Sequence, residues 1–279
     1  MKINLAQSAG FCFGVKRAID IAYKTLASHK DVYILGDIVH NEDVAIKLEK
    51  AGIKKVKKLV SGFDKVFLIR AHGTSLNAIA GARRLGFRIV DATCPMVKEI
   101  HKIAHNAECK GHTIIVIGDK KHDEVQGIIG QLEKPSIVIE DTQNIPWGKL
   151  KKINKACIVV QSTQNLEKVL KIVGVLKPHI KELKFFNTIC QPTRIKQQEM
   201  KNMPLENDVM IIIGSKTSAN TRRLYEISKS LNDRSYWVQS KKDIKPVWFK
   251  GRETVGITAG ASTPDDITKE IIAYIKKIT

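Results

Sequence analysis

Thr113-Ile114-Ile115-Val116-Ile117-Gly118, followed by Asp119-Lys120-Lys121-His122-Asp123-Glu124, decides the fold. The run is apolar and β-branched with no alternation. That suits a strand buried on both faces of a parallel sheet, and the glycine and polar residues after it read as a turn. Toward the N-terminus the pattern recurs as Val66-Phe67-Leu68-Ile69 before Arg70-Ala71-His72-Gly73-Thr74, and as Val32-Tyr33-Ile34-Leu35-Gly36 before Asp37-Ile38-Val39-His40-Asn41. Toward the C-terminus it recurs as Cys157-Ile158-Val159-Val160 before Gln161-Ser162-Thr163-Gln164, and as Val209-Met210-Ile211-Ile212-Ile213-Gly214 before Ser215-Lys216-Thr217-Ser218-Ala219-Asn220. The last is Thr254-Val255-Gly256-Ile257-Thr258 before Ala259-Gly260-Ala261-Ser262-Thr263. Helical periods lie between these runs: Leu166, Val169, Leu170 and Val173 within Asn165 to Leu176, and Leu224 and Ile227 within Asn220 to Leu231. Strands alternating with helices make the chain α/β.

In open parallel sheets ligands bind beyond the carboxyl ends of the strands. Six strand ends here present His, Ser, Thr, Asn, Gly or a carboxylate, which points to one polar site fed by many loops. Taken singly, His40, His72 and His122 suit capped or surface histidines. Together with hydroxyl- and amide-rich loops they suggest an anion site. His29, His101, His105, His112 and His179 lack that context and are expected at the surface. The charge balance of 47 − 28 = +19 attracts anions: nucleic acid, anionic lipid, phosphorylated metabolites or an acidic protein. Stretches such as Lys54-Lys55-Val56-Lys57-Lys58 and Lys149-Leu150-Lys151-Lys152 read as solvated faces, so only a few cations need meet a phosphate. Nucleic-acid binding would call for aromatics interleaved with the basic residues, but aromatics are only 6% and no such motif is present. The length of 279 residues suits one large domain or two to three small ones. No apolar run approaches a membrane span and no secretory signal opens the chain, so a cytoplasmic protein without a membrane partner is expected.

Five cysteines are present without a Cys-x-x-Cys pair, which argues against a zinc ribbon and a disulfide framework. Cys12 sits in Gly10-Phe11-Cys12-Phe13-Gly14-Val15, Cys94 in Asp91-Ala92-Thr93-Cys94-Pro95 and Cys190 in Asn187-Thr188-Ile189-Cys190-Gln191-Pro192-Thr193, all turn-like contexts. The intervals, 94 − 12 = 82 and 190 − 94 = 96, give each third of the chain one such residue. By spacing alone, any one of them suits a small buried hydrophobe better than a ligand. Cys109, late in a helical stretch, and Cys157, opening an apolar strand, are read as packing residues. A zinc hydrolase using His40, His72 and His122 would leave the three other cysteines idle.

Gly10-Phe11-Cys12-Phe13-Gly14-Val15-Lys16-Arg17-Ala18 resembles the opening motif of the 4-hydroxy-3-methylbut-2-enyl diphosphate reductase (LytB) family. Val39-His40-Asn41, Arg70-Ala71-His72-Gly73, Asp91-Ala92-Thr93-Cys94-Pro95 and Gly118-Asp119-Lys120-Lys121-His122-Asp123-Glu124-Val125-Gln126-Gly127 resemble further motifs of it. Thr188-Ile189-Cys190, Gly214-Ser215-Lys216 with Ser218 and Asn220, and Ala259-Gly260-Ala261-Ser262-Thr263-Pro264 complete the set in family order.

The resemblance implies three α/β modules in a pseudo-threefold arrangement around a central iron–sulfur cluster. The corresponding segments are 1–95, with Cys12 and Cys94 near its ends, 96–191, ending near Cys190, and 192–279. It implies Cys12, Cys94 and Cys190 as ligands of a [4Fe–4S] cluster with one open iron, whose loss would leave [3Fe–4S]. The implied activity is reductive dehydroxylation to isopentenyl and dimethylallyl diphosphate, the last step of the methylerythritol phosphate pathway. His40, His72, His122, Ser162, Thr163, Ser218, Asn220 and Ser262 would hold the diphosphate or organise the site, and Glu124 would deliver protons. Three departures from the family pattern stand out. Ala219 follows Ser218 where a second Ser is common, Ser162-Thr163 replaces Thr-Thr, and Gln191-Pro192 follows Cys190 in place of an acidic-Ala pair. No Gly-x-Gly-x-x-Gly follows a strand, so electrons would come from an external donor such as a ferredoxin or flavodoxin. Such carriers are acidic, and a basic surface would steer them in.

Overall fold

A computed structural model describes residues 1–279. The twelve strands in chain order are β1 (Lys2–Leu5), β2 (Val32–Leu35), β3 (Ile53–Val56), β4 (Val66–Ile69), β5 (Arg88–Asp91), β6 (Thr113–Ile117), β7 (Ile137–Ile139), β8 (Lys155–Val160), β9 (Glu182–Phe185), β10 (Val209–Ile213), β11 (Ser235–Val238) and β12 (Thr254–Ala259). The helices are α1 (Phe13–Ser28), α2 (Glu42–Lys50), α3 (Leu76–Arg84), α4 (Pro95–Cys109), α5 (Asp123–Ile129), α6 (Trp147–Leu150), α7 (Leu166–Leu176), α8 (Gln191–Glu206), α9 (Ala219–Leu231) and α10 (Asp265–Ile278).

The strands form three four-stranded sheets, ordered β3-β2-β4-β5, β7-β6-β8-β9 and β11-β10-β12-β1, and every pairing is parallel. The connectivity is the same in all three: the second strand lies outside the first, the third on its other side, and the fourth beyond the third. The third sheet draws its fourth strand from the other end of the chain, with Lys2 opposite Thr254 and Leu5 opposite Ile257. Residues 2–5, which belong by sequence to the segment 1–95, therefore pair with strands of the segment 192–279.

Contacts divide the chain into two compact units. The first comprises Met1–Lys16, His40–Ala45 and Gln191–Thr279 and carries the sheet β11-β10-β12-β1. Its core joins Val209, Ile211, Ile213, Val255 and Ile257 of the sheet to Ile271 and Ile275 of α10. The second unit, Arg17–Val39 and Ile46–Cys190, carries the other two sheets. There Ile115, Ile117, Ile158 and Val160 pack on Val169, Ile172 and Leu176 of α7, and the opposite face of the same strands packs on Ile100 and Ala104 of α4. A strand covered on both faces has no solvent side, which is why β6 and β8 read as unbroken apolar runs.

In each sheet the connection reverses between the first and third strands: β2 and β4, β6 and β8, β10 and β12. Ligands of open α/β sheets bind at such a switch point. The loops leaving these six strands are those singled out from the sequence.

Candidate active site

In the first unit the loops after β10 and β12 meet the His40–Ala45 segment. Ser262 Oγ donates to His40 O at 2.9 Å. Asn41 Oδ1 accepts from Val44 N at 3.1 Å and so caps α2. Ser218 caps α9, its Oγ accepting from Thr221 N at 3.3 Å. The next two residues, Ala219 and Asn220, open the helix, where free backbone N–H groups and the helix dipole favour an anion. Asn220 is buried, yet neither its amide nitrogen nor its amide oxygen has a partner. A buried amide with both polar atoms unsatisfied is costly unless a ligand completes it. Ala219, standing where a second serine was expected, is itself buried.

In the second unit the loop after β6 leads directly into α5. His122 is the helix N-cap, its Nδ1 accepting from Glu124 N at 3.1 Å. Glu124 therefore lies in the first helical turn, not in the loop expected from the sequence. Its side chain is only 2% exposed. The carboxylate accepts from Ser162 N at 2.6 Å and from Ser162 Oγ at 2.8 Å. Burial pushes the Glu124 carboxyl above the ordinary range, and the two bonds from Ser162 oppose the shift without cancelling it. Thr163 faces differently: its Oγ1 accepts from Gln161 Nε2 at 3.0 Å, so Ser162 is the hydroxyl that serves Glu124. His72 and His122 meet edge to face with ring centroids 5.6 Å apart. Arg70 pairs with Asp123 at 2.5 Å and fixes the loop after β4 to the start of α5. A side chain on Gly127 would come within 3.0 Å of His72 O, so glycine there lets α5 approach that loop.

Cys12, Cys94 and Cys190 share one local structure. Each follows the fourth strand of its sheet and stands immediately before a long helix, α1, α4 or α8. Each donates its backbone N–H to the residue two positions past the end of the third strand: Cys12 to Ala261 O at 3.0 Å, Cys94 to Ala71 O at 2.9 Å, and Cys190 to Ser162 O at 3.1 Å. All three cysteines are partly accessible. Three soft donors in repeated, partly open positions fit an iron–sulfur group.

The remaining cysteines divide. Cys157 is fully buried in β8, and burial pushes its thiol up to about 11, so it is an inert packing residue as expected. Cys109 departs from that expectation: it ends α4 and is exposed, with His105 Nε2 3.7 Å from its sulfur.

Two histidines expected at the surface are held in the second unit. His112 is buried, its Nδ1 against Ala107 O at 3.1 Å and its Nε2 against Glu182 at 3.2 Å. His101 lies beside Gly73 and lines a cavity of about 250 Å³ with Asp91, Thr93 and Lys98. Its Nε2 is buried without a partner, and burial pulls its pKa down to about 4.

Lys196 of α8 also escaped the sequence reading. It is 2% exposed, and its ammonium donates to the carbonyls of Ser8, Gly10 (3.1 Å) and Ala259 (3.0 Å). Burial pulls it down to about 8 against the charges of Cys12, Glu199 and Asp265. One signal for it existed: Thr193, Lys196, Gln197 and Met200 are buried at helical spacing, so polar residues occupy the inward face of α8.

The LytB protein family model matches residues 3–276. The chain belongs to the LytB family. Among curated LytB relatives, the 4-hydroxy-3-methylbut-2-enyl diphosphate reductase of Aquifex aeolicus is 40% identical over 99% of this chain and 96% of its own length. The enzyme of the same name from Pelobacter propionicus is 38% identical over 100% and 99%. A solved structure of (E)-4-hydroxy-3-methyl-but-2-enyl diphosphate reductase, described as the terminal enzyme of the non-mevalonate pathway, aligns with a TM-score of 0.73 at 39% identity, covering 99% of this chain and 100% of that one. The E-1-hydroxy-2-methyl-but-2-enyl-4-diphosphate reductase of Plasmodium falciparum aligns with a TM-score of 0.88 at 28% identity, over 97% and 86%. LytB membership implies an iron–sulfur oxidoreductase. No helix of the chain is long and apolar enough to cross a membrane.

Proposed function

We propose that the chain reduces 4-hydroxy-3-methylbut-2-enyl diphosphate to isopentenyl and dimethylallyl diphosphate on a [4Fe–4S] cluster held by Cys12, Cys94 and Cys190, one from each α/β module. The repeated placement of the three cysteines carries this reading: same strand, same backbone bond, same helix start. Three protein ligands leave one iron open, and loss of that iron gives [3Fe–4S]. In this reading the three modules follow the segments 1–95, 96–191 and 192–279, with residues 1–16, which carry β1 and Cys12, transferred to the last.

The reaction takes two electrons and two protons. The allylic C–O bond breaks, the oxygen leaves as water and a C–H bond forms. The bound cluster supplies the electrons and a Lewis-acidic iron for the hydroxyl. Everything else falls to side chains. The start of α9, with Ser218 and Asn220, receives the diphosphate, and Asn220 gains the partners it lacks. Ser262 holds His40 by its carbonyl, and His40, His72 and His122 supply further polar contacts to the phosphate oxygens or order the loops that do. Glu124 holds a proton because burial disfavours its charge, and Ser162 fixes the direction in which that proton is offered. Thr163, bonded to Gln161, supports this loop. Electrons arrive from an external acidic carrier of the ferredoxin or flavodoxin kind, steered by the net charge of +19.

Anaerobic purification, an iron and sulfide assay, electron paramagnetic resonance and turnover of the diphosphate with a chemical reductant test the proposal. A brown protein that consumes substrate and releases both products is expected. A colourless protein that binds zinc through histidines would overturn it.

A further inference from the structure

The three cysteine-bearing connections differ in length. Between the fourth strand and its cysteine lie two residues before Cys94 (92–93), four before Cys190 (186–189) and six before Cys12 (6–11). The shorter two are braced by single side chains. Arg17 Nη1 donates to Thr93 O at 3.1 Å, and Thr188 Oγ1 bonds Val160 on both its N–H, at 2.7 Å, and its carbonyl, at 2.5 Å. The longest connection is braced from α8. Lys196 takes the carbonyls of Ser8 and Gly10 together with that of Ala259, the last residue of β12. One turn later Glu199 takes the N–H of Ser8, at 3.2 Å, and its hydroxyl. Gly10 has a left-handed φ of +92°, and a side chain there would strike Asp265 Oδ1 at 2.5 Å, so the turn has one narrow seat. All three protons of the buried ammonium are used, all on backbone, and one of them is held by Gly10 O, two residues before Cys12. A buried cation is not needed to fill this volume, because an apolar side chain of similar size would do so without desolvating a charge. What the cation adds is a fixed separation between two loop carbonyls and a strand end, with a positive charge beside a thiol.

We propose that Lys196 is the positioning residue for Cys12: it clamps residues 8–10 and the end of β12 to α8 and sets a positive charge beside this cluster ligand. The inference rests on the reading of Cys12 as a ligand, and the test separates the two. The variants are Lys196→Met, which removes charge and donors; Lys196→Gln, which keeps two donors without charge; Lys196→Arg, which keeps both; and Arg194→Met, which removes an exposed charge from the same helix. Amide hydrogen exchange on the cluster-free chain reads the clamp. Exchange at Gly10 and Cys12 is expected to quicken at least tenfold in Lys196→Met, with β6 unchanged and Lys196→Arg close to wild type. Unchanged exchange at both amides would overturn the clamp. The reduction potential of the loaded protein reads the charge. It should move to more negative values in Lys196→Met and Lys196→Gln but not in Arg194→Met or Lys196→Arg, because a lost positive charge disfavours the added electron. A potential equal to wild type in both uncharged Lys196 variants would overturn the charge role. If Lys196→Met does not fold, Lys196→Gln carries both readouts. Failure of the wild-type chain to take up iron and sulfide would instead sink the ligand assignment and leave the exchange result standing.

Discussion

Acidification from about pH 7 to about pH 5 should destabilise the cluster-free chain by about 2 kcal/mol through His101 alone. Burial is the main cause of the shift; Asp91 opposes it and Lys98 reinforces it, bringing the pKa from 6.5 to about 4. The imidazole is therefore neutral in the folded chain, while the unfolded chain binds a proton as the pH passes below 6.5. The folded state is fully favoured above that value and loses stability as the pH falls toward about 4, where both states are protonated. A shift of about 2.5 units at roughly 1.4 kcal/mol per unit gives a total of about 3.5 kcal/mol, of which about 2 is lost by pH 5. Against a typical stability of about 5–15 kcal/mol this is a large share. Geometry agrees with the direction: a His101 Nε2 buried without an acceptor has nowhere to place a second N–H. Urea unfolding of wild type and His101→Gln at several pH values isolates the contribution, because titrating carboxylates cancel in the difference. The gap between the two proteins should narrow by about 2 kcal/mol between pH 7 and 5. A gap constant to within about 0.3 kcal/mol, or an imidazole signal from His101 titrating near 6.5, would refute the reasoning.

Serine at Cys12, Cys94 or Cys190 should each abolish stable iron and sulfide uptake, measured by anaerobic reconstitution, whereas Cys109→Ser and Cys157→Ala should retain it; Cys157→Ala should cost about 1 kcal/mol in urea unfolding, from the small cavity. Glu124→Gln can still accept from Ser162 N but offers no acidic proton, so turnover should fall at least about 100-fold with cluster content and substrate affinity kept. Asn220→Ala should weaken pyrophosphate binding about tenfold by calorimetry while leaving thermal stability unchanged, since the amide has no protein partner to lose. A drop in melting temperature there would show that Asn220 is structural.

The six strands legible in the sequence, β2, β4, β6, β8, β10 and β12, are the six interior strands of the three sheets. The six that escaped, β1, β3, β5, β7, β9 and β11, are the edges. An interior strand must be apolar on both faces. An edge strand such as Ile53-Lys54-Lys55-Val56 or Glu182-Leu183-Lys184-Phe185 carries charges that keep it from pairing with another chain, and those charges hide it among loops. The Lys54-Lys55 stretch, read as a solvated face, is such an edge. At the site, the polar loops were legible because strand ends announce themselves. The proposed ligand role of the three cysteines came only with the family motifs, since intervals of 82 and 96 residues have no physical meaning until the strand order is known. Glu124 could be picked out but not its setting, because its burial depends on Ser162, 38 residues later. Lys196 and His101 stayed hidden for the same reason: the residues around them, Ser8 for one and Gly73 for the other, are brought to them by topology, not by local sequence.

The pairing of β1 with β12 sets a timetable for biogenesis. Lys2 is synthesised 254 − 2 = 252 residues before its partner Thr254. At about 5–20 residues per second that is a wait of roughly 13–50 seconds. Through this interval the sheets of β2–β5 and β6–β9 can already have formed, while the earliest segment, with Cys12, has no strand to dock on. Closing so long a loop is slow but adds little to the equilibrium cost, since the entropy grows only with the logarithm of length. Cys12 is thus the first of the three thiols to be synthesised and the last to be seated. On the proposed ligand assignment, delivery of iron and sulfide is then a post-translational event, and a newborn chain spends its most oxidation-prone moments with its first cysteine untethered.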